Sequence, residues 1–171
     1  TANAIRYTGA TPVFADVESF QDFDISLSSI EKNLTPRTRA IMVMHYAGYP
    51  CDMVAITGFA RTHNLLVIED AAHASGAKIN GRDMGTWGQV GCYSFFSNKN
   101  MTTGEGGMLT TNDPSIYDRA MGYHDTAACW RPDRFAPERY QGELFVGDNY
   151  RMSELIGAVM LAQLERLDGL L

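Results

Sequence analysis

The chain has 171 residues, 45% hydrophobic and 20% charged, an ordinary composition for one globular domain with a real core. Its net charge of -6 and pI near 5.1 give no electrostatic reason to bind nucleic acid or an anionic membrane, although a local site for an anionic small molecule stays open. No apolar run reaches the ~18 residues of a membrane span, and no basic-then-apolar leader is legible. Cys51, Cys92 and Cys129 are odd in number and form no C-x-x-C pair, which argues against a disulfide framework or a zinc site and fits a reducing, cytoplasmic setting.

The opening TANAIRY reads like the middle of a protein, so a longer chain is expected. ATPVFADV (10–17) reads as a short strand. SLSSIEKNL (26–34) reads as a helix, with Ser28 and Glu31 spaced for a capping box. RAIMVMHY (39–46) is a buried-strand candidate. DMVAITGFARTHN (52–64) places Val54, Ile56, Phe59, Ala60 and His63 on one helical face, with Asp52 as the N-cap. LLVIED (65–70), VGCYSFF (90–96) and GGMLTTN (106–112) are three more strands. DPSIYDRAMGYH (113–124) opens with Asp then Pro, a helix entry. MSELIGAVMLAQLERLDG (152–169) predicts a long amphipathic helix with Gly169 as its C-cap.

Continuous apolar strands alternating with amphipathic helices imply parallel strands covered on both faces, hence a three-layer α/β/α domain with a mostly parallel sheet. Residues 125–148, rich in Pro, Arg and aromatics, break the rhythm and read as a long loop. Trp130, Arg131, Arg134 and Tyr140 there suit an interface.

In open α/β sheets, ligands bind beyond the carboxyl ends of the strands. LLVIED ends there with Glu69 and Asp70. Asp70 either caps the following turn or is a buried carboxylate facing a cationic partner, without structural partners beyond nearby amides. His73 follows, with no second His at metal spacing, so no metal is read. Lys99 comes five residues after Ser94. It is one of only three lysines and stands apart from other charges in FFSNKNMTTGEGG (95–107). It is either a surface-turn residue or an amine desolvated by Phe95 and Phe96, and burial lowers a lysine pKa and favours Schiff-base chemistry. Ser94 and the glycines at 104, 106 and 107 could bring hydroxyl and backbone groups to a phosphate. GTWGQVG (85–91) looks like a nucleotide loop, but it precedes a strand instead of following one and is discounted. An acid and a lysine at two strand ends are the two poles of a pyridoxal-phosphate site: one keeps the pyridine nitrogen protonated, and the other holds the cofactor as an imine and moves protons.

VIEDAAHASGA, GTWGQVGCYSFF, NKNMTTGEGGMLTTND and GDNYRMSELIGAVMLAQLERLD stand in the order, and TANAIRYTGATPVFADV in the place, that resemble the DegT/DnrJ/StrS aminotransferases of nucleotide-sugar biosynthesis. The resemblance covers nearly the whole chain and implies the large domain of fold-type-I pyridoxal 5'-phosphate enzymes. It implies Lys99 as the Schiff-base lysine, Asp70 as the partner of the pyridinium nitrogen, His73 close to the ring, and Ser94 at the phosphate. It implies Asn149 reaching across a homodimer to the partner's phosphate. The implied substrates are a nucleotide-linked keto-sugar and an amino acid donor, glutamate or glutamine. The family's upstream phosphate turn, its ring-stacking aromatic and its small C-terminal domain have no counterpart in residues 1–171, so a single large-domain segment truncated at both ends is expected. ACWRPDRFAPERYQGELF matches no member and names no sugar, and Trp87 stands where Phe is usual. Two alternatives remain. A sugar dehydratase of the same fold would carry His in place of Lys99, and a truncated binding or assembly module would bind no cofactor.

Overall fold

The computed structural model describes residues 1–128 and 146–171. Cys129, Trp130, Arg131, Arg134 and Tyr140, and with them most of the expected loop 125–148, lie outside the described residues. The first helix, α1 (Ala2–Tyr7), is followed by a stretch without regular structure. Residues 10–17 form no strand; only Val17 makes an isolated antiparallel bridge, to Ile25. Pro12 lacks the N–H that a ladder needs. Val13 and Phe14 are exposed and only Ala15 of this segment packs against the core, so no sheet neighbour holds it extended.

Helix α2 (Leu27–Asn33) starts two residues earlier than the expected capping box, with Ser26 at the N-cap. Ser26 is held in the extended conformation by its N–H bond to the Asp16 carbonyl, 2.9 Å, which leaves Ser28 inside the helix, bonded to the Ser26 hydroxyl instead of capping.

Four strands form one sheet in the order β1 (Ala40–Met44), β2 (Leu66–Asp70), β5 (Val90–Ser94), β6 (Gly107–Thr110). β1, β2 and β5 run parallel and β6 antiparallel, as the expectation of a mostly parallel sheet requires. The crossover from β1 to β2 is helix α3 (Met53–Thr62), started by the Asp52 carboxylate, which accepts the Ala55 N–H at 3.0 Å. Met53, Ile56 and Ala60, spaced at helical period, are buried. Val54 and His63 are exposed, so the buried stripe is narrower than expected, and the His63 ring stacks on Phe59 at 4.1 Å.

Ile41, Val43 and Val67 alternate with less buried neighbours along β1 and β2, as the period of two demands, and join Met53, Ile56, Ala60 and Met84 in the core. Each aliphatic side chain fully buried in this way contributes about 1.5–3 kcal/mol over its exposed form. Between β2 and β5 stands a small hairpin, β3 (Lys78–Ile79) and β4 (Arg82–Asp83), closed by Asn80 and Gly81, both at positive φ as a tight hairpin turn needs. Helix α4 (Pro114–His124) is capped by Asp113, which accepts from Ser115 and Ile116. Helix α5 (Glu154–Glu165) ends at Arg166. Gly169 lies in a separate 3-10 turn and is not its cap. Among the described residues, no helix is long and apolar enough to cross a membrane.

Candidate active site

Parallel strands β2 and β5 place Asp70 and Ser94 at the same end of the sheet. Asp70 pairs in register with Cys92, and Ser94 lies two residues further along. Strand geometry separates them by about 5 Å across and 6–7 Å along. The Asp70 side chain is largely buried. It has more than amide partners: the Thr1 hydroxyl donates to Oδ2 at 2.5 Å, and the Ala72 N–H to Oδ1 at 3.2 Å. The expected carboxylate with amide partners alone is thus corrected, because α1 begins beside this strand end. Burial raises the Cys92 thiol above its ordinary value, and the Asp70 charge beside it adds to the shift.

His73 lies three residues on. Its Nδ1 accepts the Ala47 N–H at 3.2 Å, so the ring carries its proton on Nε2, and Tyr46 meets it edge-on with 6.1 Å between centroids. Ser94, half-buried, accepts the Phe96 N–H at 3.4 Å.

Lys99 is half-buried and closes a turn, its N–H donating to the Phe96 carbonyl at 3.0 Å. No carboxylate among the described residues pairs with it. Of the two aromatics expected to desolvate it, Phe95 is buried but Phe96 is exposed, because side chains alternate where the chain leaves β5. Asn149 is exposed, and its Oδ1 accepts from the Arg151 main-chain N–H and Nε, both at 3.2 Å. Arg151 in turn pairs with the buried Asp125.

One buried feature at this end of the sheet was given no role in the sequence reading. Glu69 is fully buried against His45, 3.2 Å away, and the amides of Gly85, Trp87 and Gly88, each at 2.6 Å. Burial alone would raise its carboxyl. The His45 bond and the Gly88 and Gly85 amides outweigh that and hold it below the ordinary range. This gives GTWG its structural meaning: it is a turn whose amides wrap a carboxylate. The signal available in the sequence was the adjacent Glu-Asp pair, which the period of two must send to opposite faces.

The described residues thus form a mostly parallel α/β sheet that carries Asp70 and Ser94 at one end, with the half-buried Lys99 five residues beyond Ser94. The profile of the DegT/DnrJ/EryC1/StrS aminotransferase family matches residues 1–171, and the chain belongs to that family. It is 44% identical over 168 residues to the GDP-perosamine synthase of Escherichia coli O157:H7, covering 98% of this chain and 44% of that protein. Among solved structures, it superimposes on Helicobacter pylori PseC, an aminotransferase involved in the biosynthesis of pseudoaminic acid, with a TM-score of 0.87 and 29% identity, over 99% of this chain and 44% of that one. An aminotransferase from Psychrobacter cryohalolentis gives a TM-score of 0.84 at 38% identity, over 98% and 43%. The chain thus spans under half the length of the relatives it matches.

Proposed function

We propose that the whole protein is a pyridoxal 5'-phosphate-dependent aminotransferase acting on the keto group of a nucleotide-linked sugar, with an amino acid as donor. The observation that carries this is the half-buried Lys99, unpaired with any carboxylate among the described residues, beyond the strand end next to that of Asp70. The E. coli relative, named for a GDP-linked sugar, supports the substrate class.

The donor set fits the cofactor in kind: an amine for its aldehyde, a carboxylate for its ring nitrogen, a hydroxyl for its phosphate and an imidazole beside its ring. When bound, the cofactor supplies an aldehyde that captures amines and a ring that withdraws electrons. Lys99 Nζ would hold that aldehyde, and as a free amine it would move the proton from the donor's α-carbon. Asp70 would hold the proton on the ring nitrogen, and the Thr1 hydroxyl, bonded to its Oδ2, keeps that carboxylate oriented. The Ser94 hydroxyl would donate to the phosphate. His73, its Nδ1 tied to Ala47, presents a fixed ring. The donor leaves as a 2-oxo acid, and the sugar's carbonyl oxygen is exchanged for an amino group.

The presence of Lys99 weighs against a dehydratase, which would carry His there. Exposed Asn149 supports a homodimer in which it reaches the partner's phosphate site. Cys51 and Cys92 are free, which supports a reducing cytoplasm. The test incubates the whole protein with pyridoxal phosphate, glutamate or glutamine, and a panel of nucleotide keto-sugars, and follows sugar mass. A product heavier by the exchange of O for NH3 is expected. No such product with any keto-sugar, from a protein that stays colourless with cofactor, favours the binding or assembly module.

A further inference from the structure

Glu69 and Asp70 are consecutive on β2 and face opposite sides of the sheet, so the pyridine-facing role of Asp70 leaves Glu69 unexplained. A fully buried carboxylate is costly unless it is paired and bonded. Glu69 is satisfied by four donors: Oε1 accepts the Trp87 and Gly88 amides, and Oε2 accepts the Gly85 amide and the His45 ring. His45, equally buried, is fully committed. Its Nδ1 accepts the Cys51 N–H at 3.2 Å, which puts the ring proton on Nε2, facing Glu69. Its main-chain N–H donates to the Asp70 carbonyl at 3.2 Å. The turn that Glu69 grips is tied onward. The Tyr93 hydroxyl donates to the Met84 carbonyl, and the Thr110 hydroxyl to the Gly85 carbonyl at 2.6 Å. One carboxylate thus links the ends of β1 and β2 to β5 and β6, and the links converge on the residues beside Asp70 and Ser94.

Stability alone does not call for this arrangement. Apolar residues of similar volume commonly replace a buried ion pair at no loss, whereas a bonded network fixes direction. We infer that His45 and Glu69 are a positioning pair, which aims Asp70 and Ser94 at the cofactor from the opposite face of the sheet without touching it. The inference rests on the roles proposed above for Asp70 and Ser94.

The test is the dissociation constant of pyridoxal phosphate, by absorbance titration of the whole apo-protein, for wild type, His45→Leu, His45→Gln, Asp70→Asn and the His45→Leu/Asp70→Asn double variant. His45→Leu is expected to weaken binding about tenfold, the scale on which supporting residues act on a held group. His45→Gln can still donate to Glu69 and accept from Cys51, and is expected to stay within about threefold of wild type. In the Asp70→Asn background, His45→Leu should add less than about twofold, because the residue through which it acts is already altered. Unchanged affinity in a His45→Leu protein that melts lower, or equal losses in both backgrounds, overturns the inference. If His45→Leu does not fold, Tyr93→Phe removes only one tie and carries the same cycle. A loss of about threefold that vanishes with Asp70→Asn is expected, and an unchanged affinity or an additive loss again overturns it. A wild-type protein that binds no pyridoxal phosphate defeats the proposed function itself, an outcome distinct from both.

Discussion

Lys32 is exposed and Lys78 lies 3.5 Å from the Asp83 carboxylate, which leaves Lys99 as the half-buried, unpaired lysine of the three. Lys99→Ala is expected to keep the fold and lower turnover by about 10²–10⁴-fold, the range for removing a positioned acid–base group; steady-state assay of keto-sugar amination checks this. Asp70→Asn should also keep the fold and lose about a hundredfold or more, because an unprotonated ring is a poor electron sink. Transamination at the wild-type rate by either variant contradicts its role. Glu69 carries a pH signature. Its folded pKa lies below the ordinary 4.5, so its stabilisation is present above that value and is lost as pH falls through the folded value. Melting temperature should therefore fall below about pH 4.5, and Glu69→Gln should flatten that limb while costing about 3 kcal/mol at neutral pH. A Gln variant with the wild-type acid limb contradicts this. Asp70, Ser94 and Lys99 were legible as candidates because strand ends and isolated charges are local features. The bonds of Glu69 were not, since its partners lie 24 residues before it and 16–19 after it.

The strand and helix pattern was legible wherever periodicity met a partner. β1, β2, β5 and β6, and the Asp-capped starts of α3 and α4, stand within a few residues of their expected places. Residues 10–17 failed because alternation makes a strand only beside another strand, and Pro12 removes a donor. The α2 start failed because Ser26, fixed by Asp16 from another segment, outcompeted Ser28. The Asn80-Gly81 hairpin carried a strong turn signal but has only two residues a side, too short for period counting. Two glycines separate backbone freedom from backbone contact. Gly58 sits inside α3 with open space where a Cβ would go, and Gly58→Ala should stabilise by about 0.5–1 kcal/mol. Gly91 on β5 has no such space, because a Cβ would collide with the Gly85 carbonyl in the turn that Glu69 holds. Gly91→Ala should destabilise by about 3 kcal/mol. Denaturant melts of the two variants decide this, and equal midpoints would contradict the packing described.

At the scale of the whole molecule, the α/β class followed from alternation alone, while the family came from several motifs in order. What the sequence could not convey is which surfaces are covered. Helix α5 buries none of its residues, and Leu155, Leu161 and Leu164 are all more than half exposed. Together with outward Asn149, this supports the proposed homodimer, and the whole protein with cofactor should sediment as a dimer at micromolar concentration. A monomer there contradicts it. The central claim is that one lysine holds the cofactor at the carboxyl end of this sheet. Borohydride reduction of the whole protein with pyridoxal phosphate, followed by peptide mapping, tests it most directly. A pyridoxyl group on Lys99 alone is predicted. The same group on Lys32 or Lys78, or on no lysine of a coloured protein, contradicts it.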